Sequence, residues 1–279
     1  MIMISADRCS ACGLCARVCH ESCLTLPGGI PHIDTRYCST CTQCIAICPR
    51  GALSWDHTPA VAYDRPGLPT PAQLDELFKE RRSVRAFKKE RIDRQLLEEI
   101  AGYGIYAPTH NFSLRLIIVD DEATIAFLDQ TLFTVISQIY RFGYKNKIID
   151  RLVSLFGYAE EYHRAKPKIE QAMTQGQVFS SRPAAFVFIV GDKKVPLSEA
   201  SAQYSLANMM YYAQVKGIGS CLWGNAPVFI DKSKAGRSRL GIQKHERIYG
   251  ALMMGYPAIK FSNKVMGKSL PIQWVSSLT

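Results

Sequence analysis

Apolar and polar positions change rhythm several times along the chain. A helix is expected from residue 70: Thr70 can cap it, Pro71 suits its first turn and Gln73 completes a capping box. Leu74, Leu77 and Phe78 follow at helical spacing. A second helix is expected after Asp93, with Leu96, Leu97, Ile100 and Ala101 on one face. LRLIIVDD, from Leu114, and PAAFVFIVG, from Pro183, read as buried strands, and YGALMMGYP, from Tyr249, as a further one. SEASAQYSLANMMYYAQVKG reads as a long buried helix ending at Gly217. Residues 122–179 are mixed and mostly helical, and Tyr140, Phe142, Tyr144, Phe156 and Tyr158 are expected in a core or a lid. Helices alternating with apolar strands imply an α+β sandwich, a sheet covered by helices.

The first fifty residues follow a different pattern, an internal repeat. CSACGLCARVC begins at Cys9 and CSTCTQCIAIC at Cys38, an offset of 38 − 9 = 29 that also maps Leu24 onto Leu53. HTPAVAYDRPGLPTP then holds four prolines and few core residues, and reads as an extended connection. The expected organisation is a small domain over 1–57, a linker over 58–71 and a larger domain over 72–279.

Composition changes the picture chiefly through cysteine. Of ten cysteines, nine lie between Cys9 and Cys48, and only Cys221 lies beyond. Regular short spacing favours metal over disulfides. Each repeat is C-x2-C-x2-C-x3-C, the bacterial ferredoxin run, in which the fourth cysteine serves the other cluster. Two [4Fe–4S] clusters are therefore expected. Cys9, Cys12, Cys15 and Cys48 would hold one, and Cys38, Cys41, Cys44 and Cys19 the other. Zinc held by CxxC pairs is the competing reading. Cys48 is followed by Pro49, as in the motif, but Cys19 is followed by His20. Cys23 maps onto Ala52, so it reads as a packing residue rather than a ligand.

The net charge is +10. The clusters would offset part of it, since each with its thiolates carries roughly two negative charges. No nucleic-acid-binding motif stands out. No apolar run is long enough to cross a bilayer, and the start lacks a signal-peptide pattern, so a cytoplasmic location is expected. The basic residues concentrate locally: Lys79 to Arg94 carries eight basic and three acidic residues. Within it, Arg81, Ser83 and Arg85 bring two guanidinium forks and a hydroxyl together, a combination suited to a phosphate dianion. A solvated helical face is the plainer reading of the same charges.

RRSVRAF (81–87), YAPTHNF (106–112), ASAQYSLANMMYYAQVKGIGSCLWG (200–224) and YGALMMGYP (249–257) together resemble the FMN-dependent nitroreductase family. With the N-terminal cysteine region added, the chain resembles ferredoxin-fused members of that family. The resemblance implies a ferredoxin-like domain followed by a nitroreductase-like α+β sandwich with a mostly antiparallel central sheet. It implies that Arg81, Ser83 and Arg85 hold the FMN phosphate and ribityl chain, with Arg82 near the pyrimidine end. Pro108, Thr109 and Asn111 would reach the flavin of the opposite subunit of a homodimer. Backbone N–H groups near Trp223 and Gly224 would face the isoalloxazine. The family often uses arginine for the phosphate near its C-terminus. Here Lys264 and Lys268 are the nearest basic residues, with Lys268 the preferred of the two.

The expected function is that of an iron–sulfur flavoprotein oxidoreductase. A ferredoxin or similar low-potential donor would feed the clusters, with NAD(P)H as an alternative donor, and FMN would reduce a nitroaromatic, quinone or activated alkene. Two alternatives stay open: a non-enzymatic redox carrier or sensor, and an FMN dehydrogenase that drains electrons outward through the clusters. His110 and His163 could donate protons near a substrate. Cys221 and Trp223 read as packing residues.

Overall fold

The computed structural model describes residues 1–108, 113–146, 148, 152, 159–267 and 269–275, with the side chains of residues 159 and 161 excepted. The N-terminal part consists of β1 (Ile2–Ile4), α1 (Leu14–Val18), β2 (Leu24–Thr25), β3 (His32–Ile33), α2 (Gln43–Ile47), β4 (Leu53–Trp55) and β5 (Thr58–Pro59). β1 and β5 flank β4, and β2 pairs with β3, all antiparallel. The first two residues after His57 thus extend the small sheet.

The sequence repeat is also a repeat of shape. Ala11, Gly13 and Ser22 have left-handed φ values of 53°, 75° and 53°. Their counterparts 29 residues on, Thr40, Thr42 and Gly51, have 56°, 61° and 58°. The turns match as well: Cys19 N–H donates to the Ala16 carbonyl and Cys48 N–H to the Ile45 carbonyl, both at 3.2 Å. α1 and α2 pack together over a small core that includes Cys15, Leu24, Cys44, Ile45 and Leu53.

The larger part opens on α3 (Pro71–Glu80), whose Thr70–Gln73 capping box is formed in both directions. α4 (Arg94–Gly102) is capped by Asp93 and buries Leu97, Ile100 and Ala101. Then come β6 (Leu114–Val119), α5 (Glu122–Ile139), α6 (Ala159–Gln175), β7 (Ala185–Asp192), α7 (Ser198–Val215), β8 (Gly219–Leu222), α8 (Lys234–Arg239) and β9 (Glu246–Gly255). The strands form one antiparallel sheet in the order β6-β7-β9-β8.

Both faces of this sheet are covered, which explains why β7 reads as a continuous apolar run. Alternate residues point to opposite faces. Phe186, Phe188 and Val190 pack with Leu128, Leu132 and Ile136 of α5, while Ala185, Val187 and Ile189 pack with Ala202, Leu206 and Met209 of α7 and with Leu97 and Ile100 of α4. β6 departs from the expected buried strand. It is an edge strand paired only with β7 in the described sheet, and Leu116 is 38% exposed.

One ion pair secures that edge. Arg115 of β6 donates to both carboxylate oxygens of buried Glu246, at 2.7 and 2.8 Å, and to the Gly241 carbonyl at 3.1 Å. The Arg115 guanidinium lowers the Glu246 carboxyl to about 2, against burial that would raise it. A carboxyl lowered on folding stabilises the fold above its unfolded value of about 4.5, and that contribution fades as pH falls toward about 2. Because Arg115 is itself half exposed, Arg115→Ala is expected to lower the unfolding free energy at pH 7 by about 1–2 kcal/mol. Urea denaturation at pH 7 and pH 3 should show the gap between variant and wild type narrowing at the lower pH.

Candidate functional site

The structure brings the N-terminal cysteines together in two groups, each drawing ligand candidates from both repeats. One small pocket is lined by Cys9, Cys12, Cys15 and Cys48, with Leu26 and Leu53. A second is lined by Cys19, Cys38, Cys41 and Cys44, with Cys23 beside them. The left-handed residues Ala11, Gly13, Thr40 and Thr42 lie between successive cysteines. Such turns direct backbone N–H groups into a concavity that favours an anion. The Ala11 N–H donates to Cys9 Sγ at 3.4 Å and the Ala52 N–H to Cys48 Sγ at 3.3 Å. Left-handed φ in alanine and threonine is uncommon, and such strain concentrates at functional sites.

Burial pushes the thiols of Cys15 and Cys44 up, Cys44 to about 11, whereas a hydrogen bond from the Leu14 backbone holds exposed Cys12 down. At neutral pH a thiol like that of Cys44 keeps its proton unless a cation takes its place. Among the described residues no three His, Cys, Asp or Glu side chains converge on one point suited to a single metal ion. A four-iron cluster makes a different demand, because its thiolates stand apart around a cubane.

In the larger part, residues 83–88 run extended across the end of the sheet and are held from two sides. Val84 N–H donates to the Ser220 carbonyl at 3.0 Å. Farther on, Lys88 N–H donates to the Tyr256 carbonyl at 2.8 Å and Ala258 N–H to the Ala86 carbonyl at 2.9 Å. Two glycines admit this close approach. A Cβ on Gly219 would meet Val84 at 2.8 Å, and one on Gly255 would meet the Phe87 ring at 2.7 Å. The glycines of GIGSC and MMGYP therefore make room for the basic segment. Ser181 completes the clamp. Its Oγ accepts from the Phe87 N–H and donates to the Phe87 carbonyl, both at 2.8 Å, as a strand partner would.

The segment borders a cleft of about 510 Å³ lined by Arg81 and Arg82, the Gly217–Ser220 backbone and the Pro257–Phe261 turn. The arginines are not equivalent. Arg82 Nη1 is committed to the carbonyls of Lys79 and Arg81, at 2.6 and 2.8 Å, where it closes the end of α3. Arg81 lines the cleft, and its guanidinium donates to no protein acceptor among the described residues. Arg85 is exposed and makes a single 3.4 Å contact with the Ser83 carbonyl. Ser83 forms a parallel bridge with Ser220.

Other expected site residues are dispersed. Trp223 is 3% exposed, stacked on Phe186 and edge-on to Phe179. Its backbone N–H is spent on the Ala251 carbonyl at 2.8 Å, so that expected donor is already engaged. Lys264 pairs with Glu76 of α3. Pro108 is exposed, whereas Thr109, His110, Asn111, Phe156, Tyr158 and Lys268 lie outside the described residues. His163 is exposed on α6, edge-on to Tyr162, and Tyr144 is buried with its hydroxyl on the Tyr162 carbonyl. Cys221 is buried within β8.

An antiparallel sheet between helical layers, with a clamped basic segment beside it, defines an α+β domain with a basic cleft. The chain belongs to the nitroreductase family, whose model matches residues 78–256. That membership makes it an FMN-dependent oxidoreductase. No curated relative matches the chain in sequence. Solved structures with the same fold include a nitroreductase with bound FMN from Bacteroides fragilis, 21% identical with a TM-score of 0.51, covering 72% of this chain and 98% of that one. One from Desulfitobacterium hafniense, also with bound FMN, is 16% identical with a TM-score of 0.53, covering 71% and 97%. Oxidized iodotyrosine deiodinase, bound to FMN and 3-iodo-L-tyrosine, is 18% identical with a TM-score of 0.52, covering 73% and 99%. At these identities the likeness is one of fold. No helix among the described residues is long and apolar enough to cross a membrane.

Proposed function

We propose that this nitroreductase-family enzyme carries two [4Fe–4S] clusters in a ferredoxin-like N-terminal domain, and that electrons from a low-potential donor reach a small organic acceptor by way of them. The observation that supports this most is the sorting of eight cysteines into two pockets, each completed by the fourth cysteine of the other repeat. The donor set fits the group: four thiols at each pocket, left-handed turns between them, and N–H donors on Cys9 and Cys48 sulfurs. Cys9, Cys12, Cys15 and Cys48 would hold one cluster, and Cys19, Cys38, Cys41 and Cys44 the other.

The cleft beside the basic segment fits a phosphorylated flavin. Arg81 offers an uncommitted guanidinium fork for the phosphate, and Ser83 and Arg85 adjoin it. Gly217–Ser220 line the cleft with backbone that can lie close to a planar group. When bound, the clusters supply one-electron transfer and FMN supplies two-electron chemistry toward a nitroaromatic, quinone or activated alkene. Ser181, Gly219 and Gly255 hold the segment that carries the arginines, so the phosphate end is set before any substrate arrives. A homodimer would complete the site, with Asn111 of one protomer reaching across to the other. A ferredoxin or similar protein is the proposed donor.

Anaerobic reductive titration of the purified chain tests the proposal. Two one-electron clusters and one two-electron flavin predict an uptake of about four electrons per chain. Uptake of about two, all of it at the flavin absorbance, would contradict it.

A further inference from the structure

The two cysteine pockets match in their four ligand cysteines and differ in sulfur content at one position. In the second repeat, Ala52 follows Cys48 by four residues and presents only its backbone N–H to Cys48 Sγ, at 3.3 Å. In the first repeat the same position is Cys23, which is 7% exposed and lines the pocket of Cys19, Cys38, Cys41 and Cys44. Its Sγ lies 3.6 Å from Cys19 Sγ. Packing alone does not require sulfur there, since alanine serves at 2% exposure in the other copy.

We infer that Cys23 is a positioning residue whose S–H donates a hydrogen bond to the sulfur of Cys19, so that the second cluster has a higher reduction potential than it would otherwise have. This rests on the two-cluster reading above. Once Cys19 is a thiolate ligand it has no proton to give, so of the two sulfurs only Cys23 can be the donor. Reducing a cluster adds a negative charge that spreads onto its thiolate sulfurs. A donor aimed at one of them stabilises the reduced state more than the oxidised state. His20 stands where the other repeat has Pro49, so the loop carrying Cys19 and Cys23 lacks the ring that restricts its counterpart. The Cys23 thiol supplies a second anchor for Cys19. The inequality would give electrons a downhill order between the two clusters.

The experiment is a potentiometric titration of the full chain, purified anaerobically and followed by electron paramagnetic resonance, with iron measured on the same samples. Cys23→Ala installs the residue already present at the equivalent position, so folding and iron content should match wild type. One of the two cluster midpoints should move to lower potential while the other stays. Cys23→Ser keeps a donor and should leave the midpoint at or above its wild-type value. Unchanged midpoints in Cys23→Ala would overturn the inference. So would loss of about half the iron, which would make Cys23 a ligand rather than a donor. A wild-type chain with no iron–sulfur signal would instead defeat the two-cluster reading itself.

Discussion

Replacing Cys38 and Cys41 together with serine is expected to remove turnover fed by a reduced ferredoxin or similar one-electron donor, while FMN stays bound. Both residues line the second cysteine pocket, and serine neither ionises at neutral pH nor binds iron as a thiolate does. Cys41 is exposed and Cys38 half-buried, so neither supplies the small core over which α1 and α2 pack. The sheet, the clamp and the arginine cleft are made of residues from Glu80 onward and carry neither substitution. Iron should fall from about eight to about four per chain, and the donor-driven rate should fall to that of a control without enzyme. Chemically reduced protein should still pass electrons to the acceptor. NAD(P)H-driven turnover, measured in parallel, separates the routes: it survives if nicotinamide reaches the flavin directly. A variant that keeps its wild-type rate with the ferredoxin donor would make the clusters structural or sensory.

Arg81→Ala weakens FMN binding by about ten- to a hundredfold, the result expected for losing one or two charge-assisted hydrogen bonds worth about 1.5–3 kcal/mol. Arg81 is chosen over its neighbours on geometry. Arg82 is already committed to the end of α3, and Arg85 points outward with one weak contact. Arg81→Lys should recover only part of the affinity, because an ammonium lacks the bidentate fork. Equilibrium titration of the apo-protein, read by quenching of flavin fluorescence, gives the affinities, and thermal denaturation of the apo-forms checks that the fold is intact. An Arg81→Ala protein that binds FMN as tightly as wild type would place the phosphate elsewhere.

Much of this architecture was legible where a local rule acts alone. Thr70, Pro71 and Gln73 announced a helix start through side-chain capping, and the structure has that box. The alternation hidden inside AFVFIV could be read only as a buried run, because both faces of β7 are covered. The cysteine repeat was legible as a 29-residue offset. The left-handed turns that give it shape were not, since Ala11 and Thr40 carry no local preference for positive φ.

The larger site was less legible because long-range pairing builds it. No strand is expected from the sequence at β8. It is four residues long and begins at a glycine whose purpose is to admit Val84 from 135 residues earlier (219 − 84). Ser181 carries no signal in one sequence, although its hydroxyl holds both backbone groups of Phe87. The same holds for the three arginines: spacing grouped them, and only the fold separates Arg82, tied to a helix end, from Arg81, which lines the cleft. The edge position of β6 was hidden because LRLIIV looks the same whether one or two neighbours flank it.

The proposed electron route depends on two four-iron clusters held by the N-terminal cysteines. Its most direct test is iron, zinc and acid-labile sulfide analysis of the chain purified without oxygen, on samples whose protein concentration is set by amino-acid analysis. About eight irons and about eight sulfides per chain are expected, with no stoichiometric zinc. About one or two zinc ions with no sulfide would contradict it.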